Sequence, residues 1–256
     1  MWSKGYCRAL LLTLPAMTTP DLLPCPGLLR HDVLHWPLDA ATLAVQLIDF
    51  SAATFTPAAF AAGAIALPAH IERSVRKRQA EYFYGRLAAR HALAAAGLPA
   101  VDIGTGAERQ PLWPAGSIGS ITHNSRRAGA VALPEGPWHG VGIDVESIAT
   151  PDVQDSIAAL AVDADELRRL AAHEHMLQRA ALLPLVFSAK ESFYKAAYGA
   201  VGRFFDFSAI RLTAIGADRL TFVVAEPLCA RWGVGAHVQA HWRRLPDGDL
   251  LSAVIC

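Results

Sequence analysis

Apolar and polar positions switch between a helical and a strand period along this chain. From Ile71 to Ala96 the apolar residues Tyr82, Leu87 and Leu93, with the alanines around them, fall on one side of a 3.6-residue repeat. That spacing predicts one long helix, stopped at Gly97 and Pro99. At Gly140 to Glu146 the period drops to two: Val141, Ile143 and Val145 alternate with Gly142, Asp144 and Glu146. The expected strand buries its apolar face and turns both carboxylates outward together. In Phe187 to Ala196, FSAKESFYKA, the helical spacing returns, with Glu191 and Lys195 on one face and Phe187 and Tyr194 on another.

Around these segments the pattern predicts an α+β chain. Val33 to Asp39 reads as a first strand, Ala40 to Phe50 has mixed spacing, and the alanine-rich span up to Pro68 reads as loop or short helix. Gly119–Thr122 and Ala128–Leu133 read as two short strands around a polar tip, THNSRR. Pro151 opens a mainly helical region to Leu183, with Asp163 or Asp165 as a cap. Gly199 and Gly202 are expected to end the FSAKES helix. Strands are then expected at 204–207, 210–215, 220–225, 238–244 and 250–255, the last two joined by a turn at Pro246 to Asp249. Residues 1–30, rich in Pro and Leu without a period, read as a leader. Lys4 and Arg8 ahead of Ala9 to Pro15 imitate a secretory signal, but Pro15 and Pro20 break a run that is already short. No apolar stretch reaches the ~20 residues that span a bilayer.

At 256 residues the chain has room for one large domain or two small ones, and 53% hydrophobic with 18% charged residues suits a globular core. Lys plus Arg and Asp plus Glu balance at 23 each, which speaks against a nucleic-acid role through bulk charge. Cys7, Cys25, Cys229 and Cys256 form no CxxC pair and no cluster with histidine, and read as free thiols of a reducing compartment.

Two acids on one strand face repel each other unless a cation lies between them. Asp144 and Glu146 therefore read as half of a metal site, with Glu191 the candidate third oxygen ligand. The long helix carries Arg73, Arg76, Lys77, Arg78, Arg86 and Arg90. Such a run is either a solvated face or a phosphate binder, and the excess of arginine suits phosphate oxygens. His123, set among Thr122, Asn124, Ser125, Arg126 and Arg127, is a candidate anion contact.

RKRQAEYFYGRLAAR, RQPLWPAGSIGSITHNSR, GVGIDVE and FSAKESFYKA, in this order and spacing, resemble the 4'-phosphopantetheinyl transferases, and among them the larger class that includes the enterobactin-synthase component and surfactin-type enzymes. The resemblance covers residues 70–200 well and the last strands loosely. It implies two similar α+β subdomains related by a pseudo-two-fold axis, here 31–139 and 140–256 after the 1–30 leader, with coenzyme A in the cleft between them. It implies a cytoplasmic enzyme that transfers the phosphopantetheine arm of coenzyme A to a serine of an acyl or peptidyl carrier protein, as in siderophore or secondary-metabolite assembly. Adenosine 3',5'-bisphosphate is the leaving group. The metal would be magnesium, with manganese the alternative.

By the same resemblance Asp144, Glu146 and Glu191 match the metal acids, and Lys195 matches a lysine that reaches a phosphate. Thr122 and His123 match a Ser-His pair whose histidine contacts coenzyme A phosphates. Arg76, Arg78 and Arg86 are the candidates for the 3'-phosphate and adenine end, and Arg109 for the nucleotide. The general base stays open among Glu191, Glu166 and a metal-bound water. A magnesium-dependent nucleotide pyrophosphate hydrolase would use the same acids without a carrier, and a non-catalytic coenzyme A- or carrier-binding module would keep the fold alone. One chain holding both halves of the site implies a monomer.

Overall fold

The computed structural model describes residues 25–39 and 41–256. Their elements, in chain order, are β1 (Leu28–Pro37), β2 (Thr42–Phe50), α1 (Ala58–Ala62), α2 (Ala69–Glu72), α3 (Arg76–Ala95), β3 (Gly104–Thr105), β4 (Pro111–Leu112), β5 (Ser117–His123) and β6 (Arg127–Pro134). There follow β7 (Val141–Glu146), α4 (Pro151–Ala161), α5 (Ala164–Ala172), α6 (Arg179–Val201), β8 (Ile210–Ile215), β9 (Arg219–Val224), β10 (His237–Arg244) and β11 (Leu250–Ile255). One antiparallel sheet runs β1-β2-β6-β5, a second β7-β11-β10-β9-β8, and β3 pairs with β4.

Three apolar clusters hold these layers together. Phe50, Phe83, Tyr84 and Leu93 pack α3 on the first sheet, and Leu182, Val186, Phe193 and Phe222 pack α6 on the second. The third cluster lies between the sheets: Leu34, Val45 and Leu47 meet Val141, Ile143, Val145 and Leu251. Removing this apolar surface from water is the main force that closes one half on the other.

The strand at the centre of the sequence pattern forms where expected but is covered on both faces. Residues Val141 to Val145 are all buried. Their apolar face enters the inter-sheet cluster, while α6 lies across the face expected to be open. Gly140 and Gly142 make that approach feasible, because a Cβ on either would strike the carbonyl oxygen of Ala196 or Ser192 in α6. Ser188 Oγ, donating to Asp144 O at 3.1 Å, ties the helix down. The two carboxylates thus face a helix rather than water.

The expected 71–96 helix is broken. Val75 is extended (φ −64°, ψ 153°), Ser74 Oγ donates to Ile71 O at 2.6 Å, and Gln79 Nε2 donates to Glu72 O at 2.8 Å, so local side chains cap a short α2 before α3 begins. Phe204–Phe207 is not a strand. Phe205 stacks against Phe193 and Tyr194, and Asp206 caps a 3₁₀ turn at Phe207–Ala209, so the aromatics wedge against α6 instead of joining a ladder. The FSAKES helix starts earlier than expected, at Arg179, runs through Gly199, and stops at left-handed Gly202 (φ 68°). Strand β1 begins at Leu28, inside the span read as a leader; the expectation for 1–24, Cys7 included, lies outside the described residues. Cys25, Cys229 and Cys256 are free thiols. Among the described residues no helix is long and apolar enough to cross a membrane.

Candidate functional site

Asp144, in the middle of β7 and 5% exposed, is the meeting point of both halves. Its Oδ1 accepts from Lys195 Nζ on α6 at 2.6 Å and from Thr122 Oγ1 on β5 at 2.9 Å. Thr122 Oγ1 in turn accepts from Val145 N at 3.0 Å, so its hydroxyl is fully committed between the two sheets. Lys195 Nζ also reaches Ile143 O at 3.3 Å. Asp144 Oδ2 is buried and has no hydrogen-bond partner. An orphaned carboxylate oxygen of this kind is costly unless a cation or donor faces it.

Glu146 and Glu191 stand near it. Burial first, then the Asp144 carboxylate, pushes Glu146 up to about 8, with Lys195 pulling the other way. Burial also raises Glu191, opposed by Lys195 and reinforced by Asp144. The acids are thus crowded, short of counter-charge, and oxygen-only in character, which is the donor set a hard divalent cation takes. Among the described residues, however, no three acidic, histidine or cysteine side chains stand in coordinating proximity. Lys195 is the only cation bonded to Asp144 there, and its bond runs to that residue rather than to Glu191 on its own helix.

A cationic wall is built from α3 and β5. Arg78 Nη1 lies 2.9 Å from His123 Nε2, and Glu81 Oε2 lies 3.5 Å from Arg78 Nη1 and 3.8 Å from His123 Nδ1. Burial holds His123 below the usual histidine range, with Glu81 opposing. Arg86 is buried, donates to Thr105 Oγ1 at 2.9 Å, and lies 4.7 Å over the Tyr82 ring. A cavity of about 340 Å³ is lined by Arg78, Glu81, Tyr82, Arg86, Arg109 and His123 among others. It shares Arg109, Pro111 and Ile121 with a second cavity of about 350 Å³, whose walls include Trp113, Tyr194, Lys195 and Tyr198. Arg109, at φ 64°, therefore stands where the two meet.

Several expected roles do not survive the geometry. Glu166 is 3% exposed and fully used: its carboxylate takes the N–H of Leu212 at 2.7 Å, the N–H of Asp163 at 3.0 Å and Lys190 Nζ at 3.0 Å. With Asp163 it forms the capping box of α5, and it is not a free base. Arg76 is exposed at the start of α3 and lines neither cavity. Arg90 donates to Gly63 O at 2.6 Å, which makes it a structural tie. At the hairpin tip Arg126 and Arg127 are not open to an anion: Arg127 pairs with Asp49 and Asp247 at 2.6 Å each and with Asp249 at 3.2 Å, and Arg126 with Asp247 at 2.7 Å and Asp249 at 2.6 Å. Against burial, which works the other way, the hydrogen-bonded guanidinium groups of Arg127 and Arg126 hold Asp247 well below the usual carboxylate range. Sequence reasoning missed Glu81 and the aromatic cavity walls Trp113 and Tyr198; the three-residue step from Arg78 to Glu81 on one helix face was the available signal.

Comparison with known proteins gives the family. Residues 67–133 match the 4'-phosphopantetheinyl transferase N-terminal domain, and residues 140–246 match the 4'-phosphopantetheinyl transferase superfamily. The chain belongs to that superfamily. Both domains in one chain place it in the larger class. It is 40% identical over 164 residues to enterobactin synthase component D of Salmonella typhi, an alignment covering 63% of this chain and 65% of the relative. It is 37% identical over 146 residues to the 4'-phosphopantetheinyl transferase Npt of Nocardia iowensis, covering 56% and 62%, and 35% identical over 145 residues to PptT of Mycobacterium tuberculosis, covering 56% and 61%. The matches thus span somewhat less than two thirds of those relatives' own length.

Proposed function

We propose that the chain transfers the phosphopantetheine arm of coenzyme A to a serine hydroxyl of an apo acyl or peptidyl carrier protein, with magnesium as its metal. The observation that carries this reading is the Arg78–Arg86–Arg109–His123 wall of one cavity, adjoining at Arg109 a second cavity lined by Lys195, whose ammonium is bonded to Asp144 of the acidic strand. A polyanion that also needs a cation fits between them, and the pyrophosphate of coenzyme A is such a group.

In this reading Arg86 and Arg78 hold phosphate at the nucleotide end. Arg109 and Lys195 flank the junction where the pyrophosphate lies. The arm extends into the cavity walled by Trp113, Tyr194 and Tyr198, whose aromatic lining suits its largely apolar stem. Asp144 Oδ2, Glu146 and Glu191 are the oxygens that would draw together to hold magnesium, which when bound would neutralise charge on the phosphate oxygens. Lys195 sits on Asp144 Oδ1, leaving Oδ2 for the metal.

The carrier serine oxygen forms a new bond to the β-phosphorus as the bridging P–O bond breaks, and adenosine 3',5'-bisphosphate leaves with the electron pair. With Glu166 locked by Lys190, Glu191 is the carboxylate of this chain that takes the serine proton. It lines a small cavity bounded by Phe204, Phe205 and Phe207, through which an acceptor side chain can approach. The remaining work is positioning and electrostatics. Residues 31–139 and 140–256 act as the two subdomains of a monomer, each contributing walls to the cavities, and the enzyme works in the cytoplasm.

The test is chromatographic detection of adenosine 3',5'-bisphosphate from coenzyme A and magnesium, with and without an apo carrier protein. The transferase reading predicts product only with the carrier present; product formed equally without it would make the chain a pyrophosphate hydrolase.

A further inference from the structure

One buried carboxylate ties together two strand ends that border the cleft. Asp249, directly ahead of β11, is 2% exposed. Its Oδ1 accepts from Arg126 Nη2 at 2.6 Å and from Ser147 Oγ at 2.9 Å, and its Oδ2 from Asn124 Nδ2 at 3.0 Å and from Arg127 Nη1 at 3.2 Å. A carboxylate has about four lone-pair sites, so this one is filled, and two of its donors are charged. The amide of Asn124 has a fixed sense. Its Oδ1 takes the N–H groups of Arg126 and Arg127 at 3.0 and 2.9 Å, which leaves Nδ2 to face Asp249. Asn124 directly follows His123 at the end of β5, and Ser147 directly follows Glu146 at the end of β7. One side chain thus grips the neighbour of a residue in the cationic wall and the neighbour of an acid.

We propose that Asp249 is a positioning residue: by binding Asn124 and Ser147 at once, it sets the separation of His123 and Glu146 across the two halves. That role rests on the reading of this cleft as the coenzyme A and magnesium site. Strands β5 and β7 are edge strands of different sheets. The polar contacts that join them are hydroxyl bonds rather than a main-chain ladder: Ser120 Oγ and Thr122 Oγ1 accept from Ile143 N and Val145 N at 3.0 Å each. Bonds of this kind contribute only about 0.5–1.5 kcal/mol apiece, so the strand ends beyond them need a further tie. Asp249 supplies it. Leu250, next in the chain, pairs with Glu146 in the β11–β7 ladder, so the carboxylate is itself anchored beside the acid that it positions. Asp49 offers a contrast: it pairs with Arg127 at 2.6 Å but bonds neither Asn124 nor Ser147.

The experiment is amide hydrogen exchange, read by ¹⁵N NMR in the protein free of ligand and metal. Ile143 and Val145, whose N–H groups cross between the halves, are compared with the amides of the β9–β10 ladder. Asp249→Asn should speed exchange at Ile143 and Val145 about ten-fold more than in β9–β10, and the milder Ser147→Ala about three-fold more, while Asp49→Asn shifts both sets alike. In parallel, calorimetry with coenzyme A and magnesium should show Asp249→Asn weakening binding about five-fold, the double variant with Ser147→Ala no weaker than Asp249→Asn, and Asp49→Asn binding as wild type. Exchange that rises by one factor throughout the chain in both Asp249→Asn and Ser147→Ala would overturn the proposal and leave Asp249 a clamp for stability alone. Additive losses of affinity in the double variant, or an equal loss in Asp49→Asn, would overturn it as well. Exchange is read without ligand, so failure of coenzyme A to bind the wild-type protein would count against the function alone.

Discussion

Lys195 Nζ on α6 lies 2.6 Å from Asp144 Oδ1 on β7, and this bond joins the helix of one sequence motif to the strand of another. The ammonium holds one oxygen of Asp144 while Oδ2 stays unpartnered. The same ammonium opens onto the aromatic cavity, where it reaches the pyrophosphate in the proposed complex. Lys195→Ala is therefore expected to lower kcat/KM for transfer by about 10²-fold or more, the scale of one preorganised charge stabiliser. Steady-state kinetics with saturating carrier checks it; a loss under three-fold would return Lys195 to a structural role.

The raised Glu146 carboxyl gives the metal-free protein a pH signature. Its folded value is pushed up to about 8, by burial and then by Asp144, so the folded state keeps a proton that the unfolded chain releases near the ordinary value of 4.5. The unfolded state binds fewer protons between these limits, and stability falls as pH rises from about 4.5 through 8. Thermal melts in chelator should show that decline, Glu146→Gln should flatten it, and magnesium should raise the melting temperature more at pH 8 than at pH 6. An equal magnesium effect at both pH values would contradict the assignment.

Glu166 is expected to matter for folding alone. Glu166→Ala leaves the ammonium of Lys190 buried without its carboxylate, and breaking a buried pair in this way costs about 3–5 kcal/mol. Urea denaturation should report that loss, while the rate per folded molecule stays near wild type. A folded Glu166→Ala protein lacking activity would restore it as a catalytic candidate.

Thr122 holds β5 on β7 through one oxygen. Thr122→Ser keeps the hydroxyl and is expected to fold and turn over nearly as wild type. Thr122→Val removes the donor to Asp144 and the acceptor for Val145 N, a cost of about 1–3 kcal/mol. Paired denaturation curves of the two variants test the difference; equal stability would show that the hydroxyl is dispensable.

What was readable in the sequence follows the range of the forces involved. Alternation placed β7 and helical spacing placed the middle of α6, because both patterns record burial within a few residues. The cover over β7 was not readable. It depends on α6, whose Ser192 and Ala196 lie close enough that Gly142 and Gly140 are needed, and the glycines signalled only that something approaches. The break before α3 escaped because Ser74 and Gln79 cap locally against an otherwise helical composition. The setting of Arg126 and Arg127 beside His123 looked like an anion site because the arginines' partners, Asp247 and Asp249, lie some 120 residues away. Glu166 looked free for the same reason, its partner Lys190 sitting on another helix. The acids and Lys195 were legible because the motif carried them together, while Glu81 was hidden inside a helix whose basic residues drew the eye.

The most direct test of the central claim is intact-protein mass spectrometry of an apo carrier protein incubated with the chain, coenzyme A and magnesium, alongside Asp144→Asn and a chelated sample. A mass gain of one phosphopantetheine arm with the wild-type protein, lost in Asp144→Asn and on chelation, is the predicted result. A carrier modified equally by Asp144→Asn, or left unmodified by the wild-type protein while coenzyme A is bound, would contradict the account of the cleft as a magnesium-assisted transferase site.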